Sequence, residues 1–277
     1  MTSATCGEGK RVGVFDSGVG GLTVLAACVR RLPAARFFYY GDNAHAPYGS
    51  RLPEEIARLV RRGLSRLAAQ GIDAAVLACN TATAVCAEQM RAEFPFPVVG
   101  MEPAVSPAAK VCRRVLVLAT PRTAESERLH ALIGRFPACS FRVAALPDLA
   151  GAIERHFRDG ETLTLSDHLP AASCDGVVLG CTHYAFFRKE IGDFYGARVF
   201  DGADGAARRL ESLLYAGSPQ PPRPPFGTAD HLCSAQNPNK CFTKKWKERG
   251  KNAVIFLGSG QKMDKRLYYT NICFSLR

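Results

Sequence analysis

The segment Asp73-Ala-Ala-Val-Leu-Ala-Cys79-Asn80-Thr81 has a second copy further along the chain, Asp175-Gly-Val-Val-Leu-Gly-Cys181-Thr182-His183-Tyr184. In both, an aspartate is followed by a short apolar run, a small residue and, at the same offset, a cysteine. Unbroken apolar runs of this length suit strands buried on both faces, as in parallel sheets. Ligands of open parallel sheets collect beyond the carboxyl ends of the strands, where both cysteines fall. Taken singly, a free cysteine behaves as a small hydrophobe and reads as core. Two matched copies, each followed by short hydrogen-bonding residues, read instead as a duplicated architecture with one reactive thiol per half.

The rest of the chain alternates strands and helices in two successive runs. Arg11 to Phe15 reads as a strand ending in the turn Asp16-Ser17-Gly18-Val19-Gly20-Gly21, and Leu22, Val24, Leu25 and Cys28 continue with helical spacing. The turn lacks the Gly-x-Gly-x-x-Gly and Walker patterns, but its glycines let a ligand approach the backbone and the helix start offers N–H groups to an anion. Asp16, at the strand end, is a candidate acid or base, or the orienter of one. Phe37 to Tyr40 is a second strand, and the loop Gly41 to Ser50 is long enough to cover a site, its Pro47-Tyr48-Gly49 turn displaying a phenol. His45 in that loop reads as structural. Pro53 starts a helix with Ile56, Leu59, Val60, Leu64 and Leu67 inward and its arginines solvated, and another helix is expected near 83–92.

The second run has strands at Val115 to Leu118 and Phe141 to Ala145, and a helix starting at Thr120-Pro121 with Leu129, Leu132 and Ile133 facing in. A helix from Asp148 to Phe157 carries Glu154, whose spacing suits solvent and site equally. The Cys181 strand, a helix with Phe186, Phe187 and Ile191, the strand Arg198 to Phe200 and a helix from Ala203 to Tyr215 follow. The fold class is therefore α/β, with two similar, mainly parallel α/β domains. Gly217 to Pro225 is a proline-rich connector, followed by a polar, basic stretch with a candidate helix at 242–249 and the apolar Ala253 to Leu257.

A chain of 277 residues suits two domains. Eleven cysteines, an odd count with no Cys-x-x-Cys, argue for a reduced protein rather than a disulfide framework or zinc site. Cys6, Cys28, Cys86, Cys112, Cys139 and Cys174 then read as core or surface thiols. The absence of a long apolar run and of a signal-peptide core places the expectation in the cytoplasm, with no membrane partner. Of the net charge of +11, +8 lies from Ser218 onward, where eleven basic residues face three acidic ones. A solvated face is the preferred reading over nucleic-acid binding, since no helix-turn-helix, RNP or zinc-finger signature accompanies it.

Together, Phe15-Asp16-Ser17-Gly18-Val19-Gly20-Gly21-Leu22, Gly41-Asp42 with Pro47-Tyr48-Gly49, Cys79-Asn80-Thr81-Ala82 and Gly180-Cys181-Thr182-His183-Tyr184 resemble the glutamate racemases of the aspartate/glutamate racemase superfamily. Weaker likeness at Phe226-Gly-Thr-Ala-Asp230 and Phe256-Leu-Gly258 extends the resemblance to about 258, and the basic tail 259–277 matches nothing. The resemblance implies a cofactor-independent enzyme that interconverts L- and D-glutamate and supplies D-glutamate for peptidoglycan. It implies Cys79 and Cys181 as paired acid/base thiols, Asp16 assisting Cys79, and His183 with Glu154 assisting Cys181. Asp16, Ser17, Tyr48, Gly49, Asn80, Thr81, Thr182 and His183 would contact the substrate. It further implies a cleft between a discontinuous domain, 10–100 plus 201–258, and an inserted one, 101–200, with no metal and with room for a homodimer.

The chemistry independently accounts for two thiols. Inverting a carbon centre requires removing a proton from one face and delivering one to the other, so two acid/base groups must flank it. A thiol titrates near about 8.5 and responds to neighbouring charge, so one cysteine can be thiolate while its partner is protonated. A racemase for aspartate or a hydantoin shares this logic. A Cys–His amide hydrolase would leave the second thiol without a role, and a small-anion or polyanion binding module would use neither.

Overall fold

The computed structural model describes residues 9–216 and the backbone of 254–258. The proline-rich connector, the candidate helix at 242–249, the Phe226–Asp230 likeness, Cys6 and the tail 259–277 lie outside the described residues.

Two parallel sheets organise the chain. The first contains β1 (Arg11–Asp16), β2 (Arg36–Gly41), β3 (Ala74–Leu77), β4 (Val98–Gly100) and β9 (Val254–Gly258), in the order β4-β3-β1-β2-β9. The second contains β5 (Arg114–Ala119), β6 (Ser140–Ala145), β7 (Gly176–Gly180) and β8 (Arg198–Phe200), in the order β6-β5-β7-β8. The connectivity is the same in both: the first strand is central, the second lies to one side, and the third and fourth lie to the other. The two cysteine segments follow β3 and β7, which are the third strand of each run. The repeat seen in the sequence is thus a repeat of topology, and each cysteine sits beside a switch point between the first and third strands.

Registers align the rims. Phe15 pairs with Leu77 and Asp16 with Gly41 in the first sheet, while Ala119 pairs with both Ala145 and Gly180 in the second. The residues that follow, Cys79 on one sheet and Thr120 and Cys181 on the other, therefore emerge at the carboxyl ends.

Period-two burial explains the layers. Val12 and Val14 face α1 (Gly21–Arg31) and α9 (Ala203–Leu214), whereas Phe15, Phe38 and Leu77 face α2 (Pro53–Ala68) and α3 (Asn80–Glu93). In the second sheet, Leu116, Leu118 and Leu179 look toward α7 (Leu149–Asp159), and Val115, Val117 and Val178 toward α4 (Val105–Ala109) and α6 (Glu127–Gly134). One apolar cluster runs from α1 through Leu149, Ile153 and Tyr184, joining the two units across one side of the molecule. After β8 the chain returns to the first sheet: α9 lies along α1, and Arg31 Nε meets Glu211 Oε2 at 2.5 Å.

Four local expectations change. The helix expected to carry Phe186, Phe187 and Ile191 is a 3-10 turn over Thr182–Phe187 followed by α8 (Arg188–Tyr195), which holds Ile191. The helix after the first cysteine begins at Asn80, not near 83, because Cys79 serves as its N-cap: its Sγ accepts the Ala82 N–H at 3.4 Å. The helix from Thr120-Pro121 is two pieces, α5 (Pro121–Ala124) and α6, since the Ser126 hydroxyl caps a new helix by accepting the Leu129 N–H at 3.3 Å. Tyr48 is not on display but 1 % exposed, its hydroxyl donating to Asp42 Oδ2 at 2.7 Å.

Candidate active site

The rims of the two sheets face each other, and the side chains that close the gap are those of the sequence motifs. Asp16, Ser17, Tyr48, Cys79, Asn80, Thr81, Glu154, Cys181, Thr182 and His183 are all buried, as is Gly49.

On the first rim, the Asp16 carboxylate accepts the Gly18 N–H at 3.0 Å through Oδ2 and the Thr182 hydroxyl of the other sheet at 3.3 Å through Oδ1. Burial pushes its carboxyl above the usual carboxylate range, with positive charge on His183 and the Gly18 and Gly21 amides pulling the other way. Burial also pushes the Cys79 thiol up to about 12, and the Asp16 carboxylate adds to this. The Ala82 amide and Ser17 hydroxyl offset part of it, while charge on Cys181 works in the raising direction.

On the second rim, Cys181 ends the strand and a 3-10 turn over Thr182–Phe187 begins at once. The turn folds His183 back so that its Nδ1 lies 3.6 Å from Cys181 Sγ, a contact that an extended strand would forbid. The ring's Nε2 meets Glu154 Oε1 at 2.5 Å. Burial by itself would push the imidazole down, but the hydrogen bonds to Cys181 and Glu154 outweigh it and hold His183 well above its ordinary value. Glu154, ambiguous by spacing, is 5 % exposed and faces the site.

Two glycines permit this meeting. A Cβ at Gly18 would stand 1.8 Å from Glu154 Oε1, and one at Gly20 would stand 2.3 Å from Thr182 Oγ1. The turn after β1 thus lies directly against the second rim.

Asn80 carries a further sign of a ligand. Both its Oδ1 and its Nδ2 are buried without a hydrogen-bond partner, a costly condition unless something polar binds there. Because α3 begins at Asn80, its first N–H groups also lack intrahelical acceptors and point toward the rim.

The sequence reading missed Thr120 and Thr123. Their hydroxyls, 3.1 Å apart, form a buried cluster with Thr81, whose Oγ1 lies 2.9 Å from that of Thr120. The Tyr48–Gly49 loop adjoins them, since the Arg122 N–H reaches the Gly49 carbonyl at 3.4 Å. The signal in the sequence is the threonine that directly follows β5, the strand paired with the Cys181 strand.

The remaining described cysteines take no part. Burial pushes Cys28 and Cys86 up to about 12, Cys112 and Cys139 are buried away from the rims, and the half-buried Cys174 is also raised by burial. His45 is held by Asp42 Oδ1 at 2.9 Å, in keeping with a structural role. Among the described residues no cluster of His, Cys, Asp or Glu is arranged to hold a metal, and no helix is long and apolar enough to cross a membrane.

Two sheets of matching topology thus each carry a buried thiol on facing rims. The chain belongs to the Asp/Glu/hydantoin racemase family, which it matches over residues 12–210. It is 35 % identical to the glutamate racemase of Halothermothrix orenii over 269 residues, 93 % of this chain and 96 % of that protein. It is 43 % identical to the Pseudomonas aeruginosa glutamate racemase over 222 residues, 76 % of this chain and 83 % of that one. The crystal structure of Escherichia coli glutamate racemase in complex with L-glutamate superimposes with a TM-score of 0.71 at 30 % identity, covering 91 % of this chain and 100 % of the other.

Proposed function

We propose that this chain interconverts L- and D-glutamate in the cytoplasm with no cofactor, providing D-glutamate for peptidoglycan. The observation that carries the reading is the pairing of Cys79 and Cys181 on opposed strand ends, each with its own polar partner: Asp16 beside Cys79, and His183 backed by Glu154 beside Cys181.

The α-carbon lies between the sulfurs. From L-glutamate, Cys181 as thiolate removes the α-proton while Cys79 as thiol delivers one to the opposite face; from D-glutamate the roles exchange. A cation beside a sulfur favours its thiolate, so a protonated His183 supports the Cys181 role and Glu154 holds the imidazole in place. Negative charge that develops on the α-carboxylate meets the Asn80 amide and the first N–H groups of α3, while the Thr182 hydroxyl donates to the Asp16 carboxylate and holds it in place. The Thr81, Thr120 and Thr123 hydroxyls beside the Tyr48–Gly49 loop supply donors for the side-chain carboxylate. Burial and Asp42 push the Tyr48 phenol far up, so it stays a neutral donor that fixes this loop.

The two binding faces correspond to two domains, 10–100 plus 201–258 and 101–200; the membership of β1 to β4 with β9 in one sheet and of β5 to β8 in the other supports that division.

The test is a circular-dichroism assay of L-glutamate with protein dialysed exhaustively against a chelator and free of any pyridoxal absorption band. The signal should decay to zero ellipticity as the racemate forms. Activity that returns only on adding a metal or pyridoxal phosphate would refute the two-thiol mechanism, and turnover of aspartate or a hydantoin in preference to glutamate would reassign the substrate.

A further inference from the structure

One oxygen, Glu154 Oε1, belongs to two partnerships. It lies 2.5 Å from His183 Nε2 within its own unit, and it accepts the Val19 N–H of the first unit at 3.0 Å. Val19 sits in the turn after β1, and that turn is braced from its own side. The Gly18 N–H is taken by Asp16, the Gly18 carbonyl accepts the Tyr39 hydroxyl at 2.7 Å, and the Asp42 N–H holds the Asp16 carbonyl at 3.0 Å. The turn therefore moves with the first sheet and does not follow α7. Hydrogen bonds weaken steeply beyond about 3.2 Å, so parting the two rims by even about 1 Å removes the Val19 donor from Glu154. Gly18 and Gly20 are the residues whose lack of a side chain permits the contact, since a Cβ at either would strike Glu154, Thr182 or His183.

We propose that the Gly18–Val19–Gly20 turn is a positioning element for the second thiol: its Val19 N–H, reaching across the cleft, fixes the Glu154 carboxylate that orients His183, so the Cys181 relay is complete only while the two units are closed. The proposal rests on the racemase reading and deepens it. An open enzyme admits substrate with Glu154 released from Val19, and closure over substrate restores the donor and aligns the imidazole with the sulfur. The charged and titratable groups facing this relay are Cys181 on its own segment, Glu154 on α7 and Asp16 at the end of β1.

The experiment compares the full chain with Gly18→Ala, with Glu154→Asp and with the double variant, following glutamate racemisation and the pH dependence of kcat/KM. The added methyl displaces the carboxylate, so Gly18→Ala should lower kcat/KM by about 10- to 100-fold, the range for one hydrogen bond to a buried charge. The alkaline limb of its profile should shift to lower pH, because His183 loses a well-placed anion. Glu154→Asp withdraws the carboxylate by one methylene, so the double variant should lose less than the two single losses combined. In parallel, the Val19 amide resonance is followed by 15N NMR on Glu154→Gln in the otherwise parental chain, where loss of the anionic acceptor should move it upfield in the proton dimension. An unchanged pH profile in Gly18→Ala, additive losses, or an unmoved Val19 resonance would each overturn the proposal. If Gly18→Ala does not fold, the Val19 resonance of the parental chain is titrated beside kcat/KM, and a Val19 shift that does not track the alkaline limb overturns the proposal. A parental chain that fails to racemise glutamate while its Val19 amide responds to Glu154→Gln would instead overturn the racemase reading and leave the contact as a purely structural one.

Discussion

Cys79 and Cys181 stand at equivalent points of two sheets with the same connectivity, yet their surroundings differ in sign. Cys79 caps a 14-residue helix and has the Asp16 carboxylate for a neighbour, which together with burial raises its thiol to about 12. Cys181 precedes a short 3-10 turn, and its neighbour is an imidazole that carries a proton readily because its hydrogen bonds to Cys181 and Glu154 outweigh its burial. An inherited duplication would give equal thiols; acid/base chemistry on two faces is better served by unequal ones, with one poised to accept a proton and the other to donate it. The difference is produced by what each thiol touches, since the strands beneath them are alike.

The largest expected effect removes the comparison altogether. Cys79→Ser or Cys181→Ser should each lower interconversion by about 10²- to 10⁴-fold, the usual worth of a positioned acid or base. In D2O, the parental enzyme should place deuterium at the α-carbon of product while early unreacted substrate stays unlabelled. Substrate that labels as fast as product would mean one shared base, and the pair would cease to be a pair.

Asp16→Asn and His183→Asn sharpen the contrast between the two sides. Each should lower kcat by about 10- to 100-fold, below the full worth of a positioned acid or base because each acts beside a thiol, and they should alter opposite limbs of the pH profile. His183 is held above 6.5, so activity that needs its proton falls as pH rises through the folded value, and His183→Asn should abolish that limb. Asp16 is raised above 3.8, so activity that needs its carboxylate falls as pH drops through the folded value, and Asp16→Asn should abolish that one. Stability follows the same sign. A raised carboxyl favours the folded state only while protonated, so its ionisation opposes folding at neutral pH. Asp16→Asn should therefore melt higher than the parent at pH 8, and the gain should vanish as pH falls below 3.8.

Thr120→Val tests whether the second rim also reads the substrate's side chain. Loss of one hydrogen bond to the side-chain carboxylate should raise KM for glutamate by about 10-fold with little change in kcat. A fall in kcat at constant KM would move Thr120 from binding to the chemistry. The smallest effect belongs to a buried thiol outside the pair: Cys86→Ala should leave kcat within about 2-fold and cost about 1 kcal/mol in a denaturant titration, as for a small core truncation.

Taken alone, the sequence determined the alternation of strands and helices, the two thiols at strand ends, the glycine turn after β1 and the motif residues that the structure gathers into one buried site. These are local properties: apolar runs, turn residues and a repeated segment report which face of an element is buried and where it stops. Tertiary structure alone decided the partners. Glu154 was undecidable because helical spacing says that a residue lies near the edge of an apolar face, and only the placement of α7 against the β1 turn says what waits there. Thr120 and Thr123 went unread because a threonine before a proline looks like any helix start until β5 is found beside β7. The 3-10 turn that brings His183 back to Cys181, and the capping that starts α3 at Asn80, decide which atoms face the cleft. Those two are short-range contacts, whereas Glu154 meets Val19 and Thr120 meets Thr81 across long stretches of chain, and sequence periodicity carries no information about which distant segment an element will meet.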